Sequence, residues 1–204
     1  GSEMCIRDSL YIENAQKFTI RPSAKRKLAS EQYHDVTIDS QVNLNLIQFY
    51  NTYPSSEVNG NFMTRWKMYA DTPMDESVSQ MLYPDIKNKI EGLSDVQAVN
   101  QILNWVQTAF QYEYDDKVWG HDRAFFAEET LYYPYCDCED RAILFTRLVR
   151  DLLGLKCILV YYPGHLASAV CLKQQVNGDY ISLDGDVYTI CDPTYIGAPV
   201  GITM

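Results

Sequence analysis

The 204-residue chain has only three histidines, and its 17 basic residues stand against 27 acidic ones, a formal net charge of −10. No basic stripe appears anywhere along it. That argues against a nucleic-acid partner, because phosphate-backbone affinity rests on clustered lysine and arginine. An apolar run of about 18 residues is missing too, so no helical membrane span is expected. There is no internal repeat and no low-complexity linker. With so few histidines, and with Cys136-Asp137-Cys138 lacking the usual spacing of a zinc half-site, neither a metal nor a cofactor is expected. What the chain does have is 47% hydrophobic residues, sufficient for one good core and a small second one. Its sixteen tyrosines include Tyr132, Tyr133, Tyr135, Tyr161 and Tyr162, grouped near the most informative stretch.

That stretch runs Tyr135-Cys136-Asp137-Cys138-Glu139-Asp140-Arg141-Ala142, and His165-Leu166-Ala167 and Cys191-Asp192-Pro193-Thr194 follow it. A thiol, an imidazole and a carboxylate thus occur in the order of a nucleophile, its base and the base's orienter. From Glu139 to Leu153 the apolar residues recur at three- and four-residue spacings, which predicts an amphipathic helix ended by Gly154. Asp137 suits its N-cap and Cys138 its first turn. There the helix dipole and unpaired N–H groups are expected to lower the thiol pKa and to receive an oxyanion. Leu155 to Tyr162 reads as a buried strand. Pro163-Gly164 turns the chain into a second strand, His165 to Val176. Asn177-Gly178 is a hairpin signal before Tyr180 to Leu183, and Asp184-Gly185-Asp186 turns into Val187 to Cys191. His165 opens one strand and Asp192 closes another.

The motif Cys138-Glu139-Asp140-Arg141-Ala142, the helix ending Leu152-Leu153-Gly154, His165 and Asp192-Pro193-Thr194 together resemble the transglutaminase-like branch of the papain-like cysteine enzymes. The resemblance covers roughly residue 75 to the end. It implies an α+β fold with a papain-like/transglutaminase-like core, a central helix packed on an antiparallel β-sheet. It also implies a Cys138, His165, Asp192 triad, with Tyr135, Cys136 and Asp140 in supporting places. The activity implied is that of a cysteine-dependent amide hydrolase (peptidase or amidase) working through a thioester acyl-enzyme on a peptide or protein substrate. Transglutaminase-type acyl transfer and an inactive peptide-binding module on the same fold are the alternatives. Trp119, Tyr133 and Tyr135 are the candidates for a side chain in the oxyanion hole.

Asp140 is expected to point inward and to pair with Arg141 or Arg150. Cys157, Cys171 and Cys191 read as buried thiols. The acidic residues Asp115, Asp116, Asp122, Glu128 and Glu129 lack a calcium-loop spacing and are expected to be exposed, with His121 on a surface loop. Gly1-Ser2 reads as a cloning remnant and Glu3 to Ser9 as translated adapter sequence, so residues 1–9, with Cys5, are set aside as a tail. On that expectation a native start, with any signal peptide, precedes the chain, and the end at Met204 is a truncation. Residues 10–73 read as a small β-rich N-terminal extension, with strands at Thr37-Ile38-Asp39, Val42 to Ile47 and Phe62 to Tyr69. Tyr53 to Ser56 and Val58 to Gly60 serve as turns, and Arg21 to Lys27 as a solvated basic face. Residues 74–204 form the transglutaminase-like domain, with a helix opened by Ser94. Cell envelope, periplasm and cytoplasm all fit the sequence, and oligomeric state leaves no signature in it.

Overall fold

The computed structural model of the protein describes residues 17–53 and 61–203. The N-terminal tail, Cys5, the turn expected at Val58 to Gly60 and all but Tyr53 of the turn expected at Tyr53 to Ser56 lie outside them. Two short strands, β1 (Arg26–Ala29) and β2 (Thr37–Ser40), pair antiparallel and precede the helices α1 (Leu44–Asn51) and α2 (Phe62–Asp71).

Both helices correct the sequence reading, which placed strands at Val42 to Ile47 and Phe62 to Tyr69. The alternation at Val42-Asn43-Leu44 ends at a cap, where Asn43 Oδ1 accepts the Asn45 N–H at 3.1 Å. Asn61 likewise caps α2, accepting the Met63 N–H at 2.9 Å. Within α2 the buried residues Arg65, Trp66, Tyr69 and Ala70 fall at helical, not alternating, intervals. The described part of the N-terminal segment is therefore more helix than strand, which corrects the β-rich reading. It is also firmly docked: Trp105 Nε1 donates to Leu28 O at 3.1 Å, and Arg26 donates to Leu131 O and Tyr133 O, so the basic stretch is not purely solvated.

Two longer helices follow, α3 (Glu76–Ile90) and α4 (Asp95–Thr108). Ser94 opens α4 with a capping box to Gln97, as its sequence predicts. After β3 (Gln111–Tyr112), a single turn α5 (Asp115–Val118) and α6 (Ala127–Tyr132), the strand β4 (Tyr135–Cys136) pairs parallel with β3. It delivers the chain into α7 (Cys138–Leu153), which starts at Asp137 and stops at Gly154, whose φ of 64° favours glycine. The residues Ala142 to Phe145, Leu148 and Val149 of α7 are completely enclosed, making this helix the centre of the core.

Against α7 lies an antiparallel sheet of β5 (Cys157–Tyr162), β6 (His165–Val170), β7 (Tyr180–Leu183) and β8 (Asp186–Cys191), in the order β5-β6-β8-β7. The molecule is thus a mixed fold with a central helix on an antiparallel sheet. Pro163-Gly164 closes the β5–β6 hairpin, pairing Tyr162 with His165 and making His165 the first residue of its strand. Asn177-Gly178, in contrast, does not join adjacent strands. The second strand stops at Val170, and β8, not β7, pairs with β6. At Gly178 the chain runs against the backbone of Gly201, where an added Cβ would meet Gly201 O at 2.3 Å. The glycine serves this close approach, not a tight hairpin.

Candidate active site

Three chain segments meet at the N-terminus of α7. Cys138 occupies the first helical position, behind the cap residue Asp137. The strand carrying His165 crosses in front of it, and the backbone N–H of Leu166 hydrogen-bonds the Cys138 sulfur. Cys138 and His165 line one cleft of about 420 Å³, with Trp66 and Arg65 on its α2 side and Tyr161 and Leu166 on its sheet side. His165 Nε2 lies 2.9 Å from Asp192 Oδ2. An ionised carboxylate only accepts, so Nε2 carries the hydrogen and Nδ1 is left as the acceptor nitrogen. Asp192 is completely enclosed, and its Oδ1 accepts N–H bonds from Thr194 at 2.9 Å and Tyr195 at 3.2 Å. Burial alone would raise its pKa. The His165 ring and these two amides together hold it below the usual carboxylate value.

The thiol is not the low-pKa group that its position at a helix start predicts. Burial, then the Glu139 and Asp137 carboxylates, push Cys138 well above the ordinary thiol value. Its sulfur donates to Glu139 Oε2 at 3.1 Å. Magnitudes explain the outcome. A helix terminus contributes about 0.3–1 kcal/mol, whereas a unit charge at that separation acts with about 5 kcal/mol even at an effective dielectric of about 20. The neighbours outweigh the dipole, and the resting group is a thiol.

Asp140 points inward as expected but pairs with no arginine among the described residues. It is 0% exposed; its Oδ1 accepts the Phe125 N–H at 2.8 Å and its Oδ2 the Asp137 N–H at 3.2 Å. Arg141 turns away to the carbonyls of Gln107 and Phe110 and to Cys136 Sγ, while Arg150 holds Cys157 O and Asp71. Without a cation the carboxyls keep protons. Burial, with Glu139 and Asp115 beside it, raises Asp137 to about 9, and burial with Asp137, Glu139 and Asp115 raises Asp140 well above its usual range.

Glu128 and Glu129 correct a second expectation, since both are buried. Glu128 Oε1 accepts the Asp75 N–H and Glu129 pairs with Arg123 at 2.7 Å. Asp115 and Asp122, however, do gather near the thiol. Asp115, Asp122 and Glu139 place one oxygen each within 4.8 Å of one another, as do Asp115, Asp137 and Asp140, and the atoms of Asp137, Cys138 and Glu139 are as close. Such hard oxygen donors suit a calcium- or magnesium-sized cation better than zinc.

The other predicted side chains are dispersed. Cys136 is 3% exposed, and burial raises its thiol to about 12. Tyr135 is exposed on β4 and lines a separate hollow with Tyr112 and Arg141. Trp119 and Tyr133 stack around Arg123 instead of facing the cleft, and Tyr133 donates its hydroxyl to Asn51. Cys157 and Cys191 are buried, but Cys171 lies half-buried just past the end of β6. Tyr161 does reach the cleft, and Tyr162 stacks on His165. Sequence reasoning missed Arg65, Trp66 and Asp122 as cleft residues. The helical spacing of Phe62, Arg65, Trp66, Tyr69 and Ala70 behind Asn61 was the signal for the first two. Compared with protein-family models, curated proteins and solved structures, the chain gives no match.

Proposed function

We propose that this chain is a cysteine-dependent amide hydrolase on a papain-like/transglutaminase-like core, with Cys138 as nucleophile, His165 as base and Asp192 as its orienter. The observation that carries the proposal is the His165 Nε2–Asp192 Oδ2 bond at 2.9 Å, made beside a thiol at a helix start in a shared cleft. In this reaction His165 Nδ1 takes the Cys138 proton as the sulfur bonds to the amide carbon. The same nitrogen then protonates the departing amine, which leaves a thioester. Water, deprotonated by Nδ1, attacks the thioester, and the expelled sulfur regains its proton as the acid departs. Because Glu139 accepts from the thiol in the free protein, the reaction requires substrate to displace this contact before His165 takes the proton.

Glu139 also favours a second reading. A thiol held protonated by its neighbours suits a peptide-binding module without turnover. Incubation with a defined peptide mixture, followed by mass spectrometry, separates these readings. Hydrolysis gives new peptide termini that vanish in Cys138→Ala and His165→Ala. Cross-linked peptides would mean acyl transfer. Unaltered peptides retained by the protein would mean a binding module, and unaltered, unretained peptides would remove the assignment.

A further inference from the structure

Behind the cleft lies a second cavity of about 290 Å³, and Trp66, Tyr161 and Leu166 line both. Its walls come from α2 (Met63, Ala70) and from β5 (Ile158, Leu159). Arg150 also lines it, pairing with Asp71 at 2.7 Å and donating to Ala70 O at 3.3 Å. At the low end of ligand-pocket volumes, a mostly apolar hollow of this size, open at its Met63 rim, matches one large side chain better than a drug-sized molecule. Trp66 is 8% exposed, and its enclosed Nε1 has no hydrogen-bond partner among the described residues. Because its ring lines both spaces, the indole N–H is a sensitive reporter of what fills them.

We infer that the cavity is a specificity subsite for the acyl half of an amide substrate and takes one large apolar side chain against the Trp66 ring, Leu159 and Leu166. The inference rests on the proposed Cys138 chemistry. It gives the N-terminal segment a task, because α2 builds one wall of the subsite.

Two measurements test it separately from that chemistry. In ¹⁵N-resolved NMR of the full chain, N-acetyl-phenylalaninamide is expected to move the Trp66 indole N–H signal, and N-acetyl-alaninamide to leave it in place; equal or absent shifts would overturn the subsite whether or not the protein turns over. Dipeptidyl fluoromethyl ketones with phenylalanine, alanine or glutamate at either position then report on reaction at Cys138. Phenylalanine at one position should label Cys138 faster than alanine there by on the order of tenfold. Met63→Glu, at the exposed rim, should lower that ratio by about threefold or more. Equal rates for all three would sink the subsite and leave the nucleophile standing. No label at Cys138 with a normal Trp66 shift would remove the nucleophile, keeping the cavity as a binding site for apolar side chains.

Discussion

Replacing Asp140 with alanine removes the carboxyl that accepts N–H bonds from Phe125 and Asp137 inside the protein. Two enclosed backbone donors lose their partner, at about 1–3 kcal/mol each. Partial relaxation around the lost side chain offsets some of this, for a net loss of about 3 kcal/mol. In a chain of this length each kcal/mol moves the melting temperature by about 2–4 °C, so a drop of about 6–12 °C is expected. Asp140→Asn keeps one oxygen but turns its NH₂ toward a donor, and about half the drop is expected. The dependence on pH follows from the same site. Asp137, raised to about 9, and Asp140, raised by burial and by Asp137, bind protons more tightly folded than unfolded. Their contribution is fully present below the ordinary carboxylate range and is lost as pH rises toward 9. The parent should melt progressively lower over that window, and Asp140→Asn should follow a flatter curve. Circular-dichroism melts decide the matter. If Asp140→Ala melts like the parent, the supporting role is wrong, and a loss of thiol reactivity without a loss of stability would make Asp140 catalytic.

Maleimide labelling with peptide mapping should find Cys138 and spare Cys136, since the first lines a cleft and the second is enclosed; labelling at Cys136 would shift the motif by two residues. Glu139→Gln removes the charge that raises the thiol, so alkylation of Cys138 at neutral pH should quicken by about tenfold or more, read as a lowered midpoint in the pH–rate curve. Arg141→Met strips charged hydrogen bonds from Gln107 O and Phe110 O and should lower stability by about 3 kcal/mol in urea titrations.

Much of the fold was legible because it is set locally. The three- and four-residue spacing after Cys138, the cap at Asp137 and the glycine at position 154 delimit α7, and Pro163-Gly164 places His165 at a strand start. Elsewhere, local patterns supported two answers. Val42 to Ile47 alternates like a strand yet turns helical behind Asn43, and Asn177-Gly178 resembles a hairpin but serves a backbone crossing with Gly201. The partners of Asp140 were beyond reach for a different reason. Phe125 lies across the fold, and a neighbouring arginine in sequence says nothing of where its guanidinium goes. The sign of the thiol shift depended on the same unseen quantity, the depth at which Cys138 is buried and then the nearness of Glu139 and Asp137.

The most direct test of the proposed chemistry is the reaction of the full chain with N-acetyl-phenylalanine p-nitrophenyl ester, followed at early times by absorbance and by intact mass. A nucleophilic Cys138 served by His165 and Asp192 predicts a burst of about one nitrophenol per protein, a mass increase equal to the acyl group mapped to Cys138, and loss of both in Cys138→Ala and of most of the rate in His165→Ala. A steady release with no burst and no adduct, the same in the parent and Cys138→Ala, would contradict it.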